Sequence, residues 1–302
     1  MTSVCGIVLT YNRKDLLVRC LQALCEQTRP CDRILVIDNA STDGTREMLA
    51  AEWGGKVEVR SLPSNVGAAG GYNLGMRLAY DGGSDFIWAM DDDVIAEPNA
   101  LERLMDAQAM LHRRKISAPY LVSLARSTSG LLTEVPDIDR GPNGLGFPNW
   151  GELLEEGVVP SLAATFVSIL LPRKTLHDYG LPIASMFIFG EDREYTLRIT
   201  RQHPGFTVAS SQVLHARKLE GALSLRTEHD ARRLHYHYYL HRNTIYTLLR
   251  YERPSLFVLH LYRMGRTFAA LLIRGQFRRA AILARGVFSG FFYQPHIEKL
   301  VE

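Results

Sequence analysis

The stretch FIWAMDDDV (86–94) decides the fold. Its first five residues are apolar or aromatic and read as a short buried strand, which three consecutive carboxylates end abruptly. Strands buried on both faces read as unbroken apolar runs and belong to parallel sheets covered by helices. The residues upstream fit that reading. Val4–Thr10, Arg33–Asp38 and 56–62 are further strand-like runs, each followed by helical spacing, at 13–26, 42–51 and 68–80. Helical spacing returns at 99–114, beyond the acids. Such alternation predicts an α/β fold, a largely parallel sheet with helices flanking it.

Downstream the texture changes. Residues 126–160 are rich in Gly, Pro, Asn and acids without a sustained period, so a long excursion from the sheet is expected there. A strand at 164–171, a helix at Arg173–Tyr179 and, after 187–189, a helix at 191–202 complete the pattern. Beyond Arg217 the chain turns helical, basic and aromatic. The expected division is residues 1–218 as the α/β domain and 219–302 as a helical region.

Bulk properties exclude more than they assign. A net charge of +3 on 302 residues gives no reason to expect a nucleic-acid partner, and no base-reading motif is present. Cys5, Cys20, Cys25 and Cys31 show no CxxC spacing, so buried reduced thiols are expected. Met-Thr-Ser runs directly into the first strand, so no cleavable leader is expected. No uncharged apolar run approaches the roughly 18–20 residues that span a bilayer.

Where the acids fall matters most. Asp38 ends the second strand and Asp91, Asp92 and Asp93 end the fourth, and open α/β sheets bind ligands beyond the carboxyl ends of their strands. Three adjacent carboxylates repel one another. A divalent cation shared with a substrate diphosphate would relieve that repulsion, whereas the bland reading is a solvated turn capping the helix after Pro98. NVGAAGGYN (65–73) is not a dinucleotide fingerprint, because it follows the third strand and has the wrong glycine spacing. Its backbone either borders a diphosphate at a helix start or packs closely on the sheet. His235 and His237 point about 200° apart on a helix and cannot share a ligand face, so aromatic packing is the better account of that region.

VLTYNR (8–13), VIDNASTDGT (36–45), NVGAAGGYN (65–73), WAMDDDV (88–94) and FIFGEDREYTLRI (187–199) together resemble the inverting family 2 glycosyltransferases with a GT-A fold. The branch they look most like contains bacterial rhamnosyl- and galactofuranosyltransferases. The resemblance implies a Rossmann-like mixed sheet with flanking helices over about residues 1–218, followed by a C-terminal helical region. It implies that Thr10, Tyr11 and Arg13 line the nucleotide pocket and that Asp38 binds the base. It places Asn65 and Gly70 beside the donor, Asp91 at the ribose or metal, and Asp92 toward the sugar. It assigns Asp91, Asp93 and His215 to Mn²⁺ or Mg²⁺, and the general base to Asp192, with Glu191 as runner-up. YYLHRN (238–243) resembles an element packed near the active site, with Arg242 a candidate for the donor phosphates. No QxxRW-type motif occurs.

The function so implied is sugar transfer from a nucleoside-diphosphate donor to a hydroxyl of a lipid-linked or oligosaccharide acceptor in cell-envelope polysaccharide synthesis. UDP-galactofuranose is favoured as donor and dTDP-rhamnose stands next. A sugar-1-phosphate nucleotidyltransferase would carry a Gly-rich basic signature after the first strand, which VLTYNRKDLL lacks. A non-catalytic sugar-nucleotide-binding subunit would have lost acids that are present here.

The C-terminal region supplies one more expectation. Seven arginines and no acid lie between Arg253 and Ile297. On one helix over 262–286, Arg263, Arg266, Arg274, Arg278 and Arg285 would share an arc of about 120°, with Gly265 and Gly275 as candidate breaks. Such a face suits an anionic membrane surface, through residues 254–302, or a homo-oligomer interface. The enzyme is thus expected in the cytoplasm, peripheral on the cytosolic face of the membrane.

Overall fold

The computed structural model describes residues 2–217, 224–228 and 230–300. The expected domain boundary at 218/219 lies outside the described residues. One mixed sheet forms the centre. Its strands are β1 (Val4–Thr10), β2 (Arg33–Asp38), β3 (Glu58–Ser61), β4 (Phe86–Asp91), β5 (Val94–Ala96), β6 (Leu121–Ser127), β7 (Leu132–Thr133), β8 (Asp137–Ile138), β9 (Val158–Ala163), β10 (Ile169–Pro172) and β11 (Gly205–His215). The order is β3-β2-β1-β4-β10-β6-β11-β9-β8, with β5 paired to β11 and β7 to β6. β1 to β4 run parallel, and β10 enters beside β4 antiparallel.

Helices α1 (Lys14–Cys25), α2 (Thr45–Glu52), α3 (Gly67–Asp81) and α4 (Ala100–Arg113) follow the strands as the alternation predicts. Side chains of β1 divide between two cores: Val4 and Val8 pack with α1, while Cys5, Ile7 and Leu9 pack with α3. Gly71 of α3 faces the Leu9 side chain and Gly75 faces Ile7 so closely that a methyl group would collide at either. Part of the glycine-rich motif therefore serves helix–sheet packing.

Four expectations are corrected. Of the strand expected over 164–171 only Ile169–Leu171 is extended, as part of β10, because 164–168 form the connection that turns back from β9. Its continuous apolarity reflects burial in the turn (Phe166 and Val167 are buried) and not a single extended segment. The excursion at 126–160 begins and ends in strands and carries β7 and β8 within it. The helix over 262–286 breaks at Gly275, whose φ of +67° suits glycine, while Gly265 interrupts nothing. The five-arginine arc therefore does not exist as one face. All four cysteines are free, and Cys25 is exposed where burial was expected.

The remaining helices are α5 (Arg173–Tyr179), α6 (Glu191–Ile199), α7 (Ala231–Tyr251), α8 (Pro254–Ile273) and α9 (Phe277–Phe292). α9 crosses α7 at short range: a Cβ on Gly286 would lie 2.8 Å from the Tyr238 carbonyl oxygen, and one on Gly290 2.5 Å from Ile245 Cβ. α8 is long and apolar enough to cross a membrane by length and composition alone, although Arg263 and Arg266 interrupt it.

Candidate active site

A cleft of about 710 Å³ opens beyond the carboxyl ends of β1 and β4. Thr10, Tyr11, Arg13, Asn65, Asp91, Asp92, Asp93, Glu191, Asp192 and His215 all line it, so most of the residues singled out in the sequence converge. Asp38 and Gly70 do not. Asp38 is fully buried, and its Oδ1 accepts the Ser41 backbone N–H at 2.9 Å; Asn39 reaches the cleft instead. Gly70 packs on Val66, while Gly67 and Ala68 face the opening.

Sheet register assembles the acidic end. β5 runs antiparallel to β11 with Val94 opposite His215, and the Ala216 N–H donates to the Asp93 carbonyl at 2.8 Å. The pairing brings residue 215 beside residue 93. Ligand atoms of Asp91, Asp93 and His215 lie within 4.8 Å of one another. Asp93 Oδ1 and His215 Nδ1 are buried and accept or donate no hydrogen bond. His215 Nε2 stands 3.2 Å from that Oδ1. Two carboxylates and an imidazole with unmet bonding capacity suit a divalent cation such as Mn²⁺ or Mg²⁺.

Asp92 faces elsewhere. Its carboxylate accepts the Thr10 hydroxyl at 2.8 Å, the Tyr11 N–H at 3.3 Å and Arg13 at 3.1 Å, which ties the end of β1 to the acidic turn and does not point it toward a sugar. Arg13 also donates to Asp93 at 2.6 Å, one guanidinium against three carboxylates. Burial, followed by the neighbouring Asp93, pushes the Asp91 carboxyl up, and burial raises Asp92 to about 7. Asp93 stays below its ordinary value: burial opposes this, but His215 and Arg13 outweigh it.

Across the cleft, Gly190 (φ +92°) starts α6 and presents Glu191 and Asp192. Asp192 Oδ1 accepts the Arg193 N–H at 2.6 Å, and burial raises its carboxyl to about 6. Glu191 is buried with Oε2 unpartnered, and burial together with Asp192 drives it well above the carboxylate range.

Several cleft residues escaped sequence reading. Tyr72 donates to Asp91 at 2.6 Å, yet in the sequence it is one aromatic within a glycine-rich helix. Arg217 reaches across to Glu134 at 2.6 Å. Arg233, Tyr236 and Leu240 of α7 line the opening. Their i, i+3, i+7 spacing marks one helix face, but sequence alone does not say what that face meets. Arg242, by contrast, is buried and bonds to the Ser185 and Met186 carbonyls instead of entering the cleft.

The start of α3 is already engaged. Asn39 and Asn65 bond its first turn, and the Ala69 N–H donates to the Phe187 carbonyl at 3.0 Å. Gly67 has φ +76°, and a Cβ there would collide with the Phe187 carbonyl. Gly67→Ala is therefore expected to cost about 2–4 kcal/mol, left-handed strain and overpacking together. Thermal unfolding checks this; an unchanged Tm would refute it.

The profile of Glycosyl transferase family 2 matches residues 5–110. Galactofuranosyltransferase GlfT1 of Mycolicibacterium smegmatis is 30% identical over 231 residues, covering 70% of each chain. The chain belongs to family 2 of the glycosyltransferases and is a glycosyltransferase. A crystal structure of GalNAc-T7 with UDP, GalNAc and Mn²⁺ superposes with a TM-score of 0.61 at 18% identity, covering 82% of this chain and 48% of that one. Staphylococcus aureus TarS (residues 1–349) with UDP-GlcNAc gives 0.53 at 16% identity, covering 84% and 69%. The shared architecture is the GT-A fold, here with its additional helices C-terminal.

Proposed function

We propose that the protein is an inverting, divalent-metal-dependent transferase. It would move a sugar, galactofuranose from UDP before rhamnose from dTDP, onto a hydroxyl of a lipid-linked or oligosaccharide acceptor of the cell envelope. One observation carries this: Asp91, Asp93 and His215 lie in the same cleft as the Glu191–Asp192 pair. The relative named as a galactofuranosyltransferase supports the choice of sugar.

Asp192 is the base in this reading. It takes the acceptor's proton as the oxygen attacks the anomeric carbon from the face opposite the leaving diphosphate, which inverts that centre. A carboxyl near 6 is ionised at neutral pH yet basic enough to accept a proton, whereas burial pushes the Glu191 carboxyl well above the ordinary carboxylate range. Tyr11, 41% exposed at the cleft edge, is placed to stack on the nucleobase. A cation held by Asp91, Asp93 and His215 would stabilise the charge that develops on the leaving diphosphate. Release of UDP or dTDP from a panel of nucleotide sugars, with Mn²⁺, with Mg²⁺ and with chelator, tests the reading. It expects the largest metal-dependent release from UDP-galactofuranose. No release from any donor would overturn it.

The C-terminal helices support membrane attachment by a different face than the sequence suggested. Val258, Tyr262, Ile273, Phe277, Phe288 and Phe292 are between 62% and 86% exposed. Arg263, Arg266, Arg274, Arg278 and Arg285 are exposed around them. Apolar and aromatic side chains together with cations, in a stretch (254–297) that contains no Asp or Glu, suit the headgroup region of an anionic leaflet. The enzyme would then work on the cytosolic face of the membrane. Flotation should recover the full chain on anionic vesicles and less on neutral ones. Phe288→Ser with Phe292→Ser should reduce both; equal recovery of the variant and the native chain would refute the assignment.

A further inference from the structure

We propose that Asn243 of α7 positions the base, its side-chain amide fixing the turn 186–190 from which Asp192 is presented. The inference rests on Asp192 being the base. Asn243 is fully buried. Its Nδ2 donates toward three carbonyls of the turn, those of Met186 at 3.0 Å, Ile188 at 3.2 Å and Phe189 at 2.8 Å. Its Oδ1 accepts from Arg242 Nε at 3.0 Å and Nη2 at 2.9 Å. That same Nη2 also donates to the carbonyls of Ser185 at 2.8 Å and Met186 at 3.1 Å.

The turn needs such a clamp. Phe187 and Phe189 hold φ of +66° and +65°, and Gly190 +92°. Two non-glycine residues in the left-handed region persist only where surrounding contacts over-determine them. On the side away from Asn243, the Phe187 carbonyl accepts the Ala69 N–H at the start of α3. Its ring stacks on Tyr239, centroids 4.8 Å apart at 27°. The turn is therefore pinned between the helix that borders the cleft near Asn65 and the helix that carries Asn243. Gly190, the last residue before α6, leaves 3.5 Å between a would-be Cβ and Asn243 Cβ, so the side chain lies directly against the hinge of the base helix. The motifs NVGAAGGYN and YYLHRN, distant in sequence, meet here.

A group that orients the base, without touching substrate, acts on turnover and not on donor affinity. Asn243→Asp keeps the acceptor oxygen for Arg242 and removes the donors to the turn; Asn243→Ala removes both. In each, kcat is expected to fall about 10–10²-fold, while donor KM and Mn²⁺-dependent UDP affinity stay within about twofold. With the turn open to water, the acid limb of the kcat–pH profile should move from about 6 toward the ordinary carboxylate value of about 4. Native kcat and pH profile in both variants would overturn the proposal. So would a parallel loss of UDP affinity and turnover, which marks a purely structural role. Asp192→Asn assayed alongside separates the two readings. If it turns over normally, the base assignment fails. If it is inactive while both Asn243 variants behave natively, only the positioning role fails.

Discussion

Asp192→Asn is expected to bind metal and UDP as the native enzyme does, and to transfer sugar about 10²–10⁴ times more slowly. The asymmetry follows from what the side chain touches. Asp192 Oδ1 accepts its hydrogen bond from the Arg193 N–H, and the amide oxygen of asparagine can do the same. The candidate cation ligands lie on other elements, at the end of β4, in the turn before β5 and at the end of β11. The substitution removes only a group whose pKa rests at about 6. The sign of the pH dependence is fixed by the same value. A base at Asp192 would work ionised, so native turnover should rise with pH through about 6, reaching about a tenth of its plateau one unit below. Asp192→Asn should lose that limb. Single-turnover rates against pH, with UDP titrations beside them, decide the matter; near-native transfer would move the base elsewhere.

Asp93→Ala is expected to fail earlier in the cycle. Metal-dependent affinity for UDP should fall by about 10²-fold or more, and transfer with it, because a ligand is lost where diphosphate charge must be offset. Asp93 stands apart from its two neighbours. Asp92 is spent on Thr10, Tyr11 and Arg13, whereas Asp91 gives one oxygen, Oδ1, to the Tyr72 hydroxyl. Asp93 keeps Oδ1 unbonded and remains ionised despite burial, through His215 and Arg13. Calorimetry with Mn²⁺ and UDP checks this. Native affinity in the variant would place the cation away from the Asp91–Asp93–His215 group.

Much of this site was legible because its chemistry lies at strand ends. β1 and β2 begin and end where the apolar runs do, since strands buried on both faces leave no ambiguity of face. The acids following β4 were visible for the same reason. Tyr72 and Arg217 were not, because one aromatic in a helix and one arginine after a strand carry no periodic signal. The strand-end position of Asp38 does not reveal that it is buried outside the cleft lining with one carboxylate oxygen turned back to the Ser41 N–H. The arginine arc was misread because it assumed one helix where Gly275 breaks the chain into two.

The sequence by itself determined the strand–helix alternation, the acids at the carboxyl edge and the motif order, because local apolar spacing and strand-end composition are properties of contiguous residues. Only the tertiary structure decided which acids of the 91–93 run meet His215 and which side chains bond the turn before Glu191 and Asp192. Those depend on pairings between residues more than fifty positions apart, His215 brought beside Asp93 by β11 on β5 and Asn243 beneath Phe189, which no local pattern encodes.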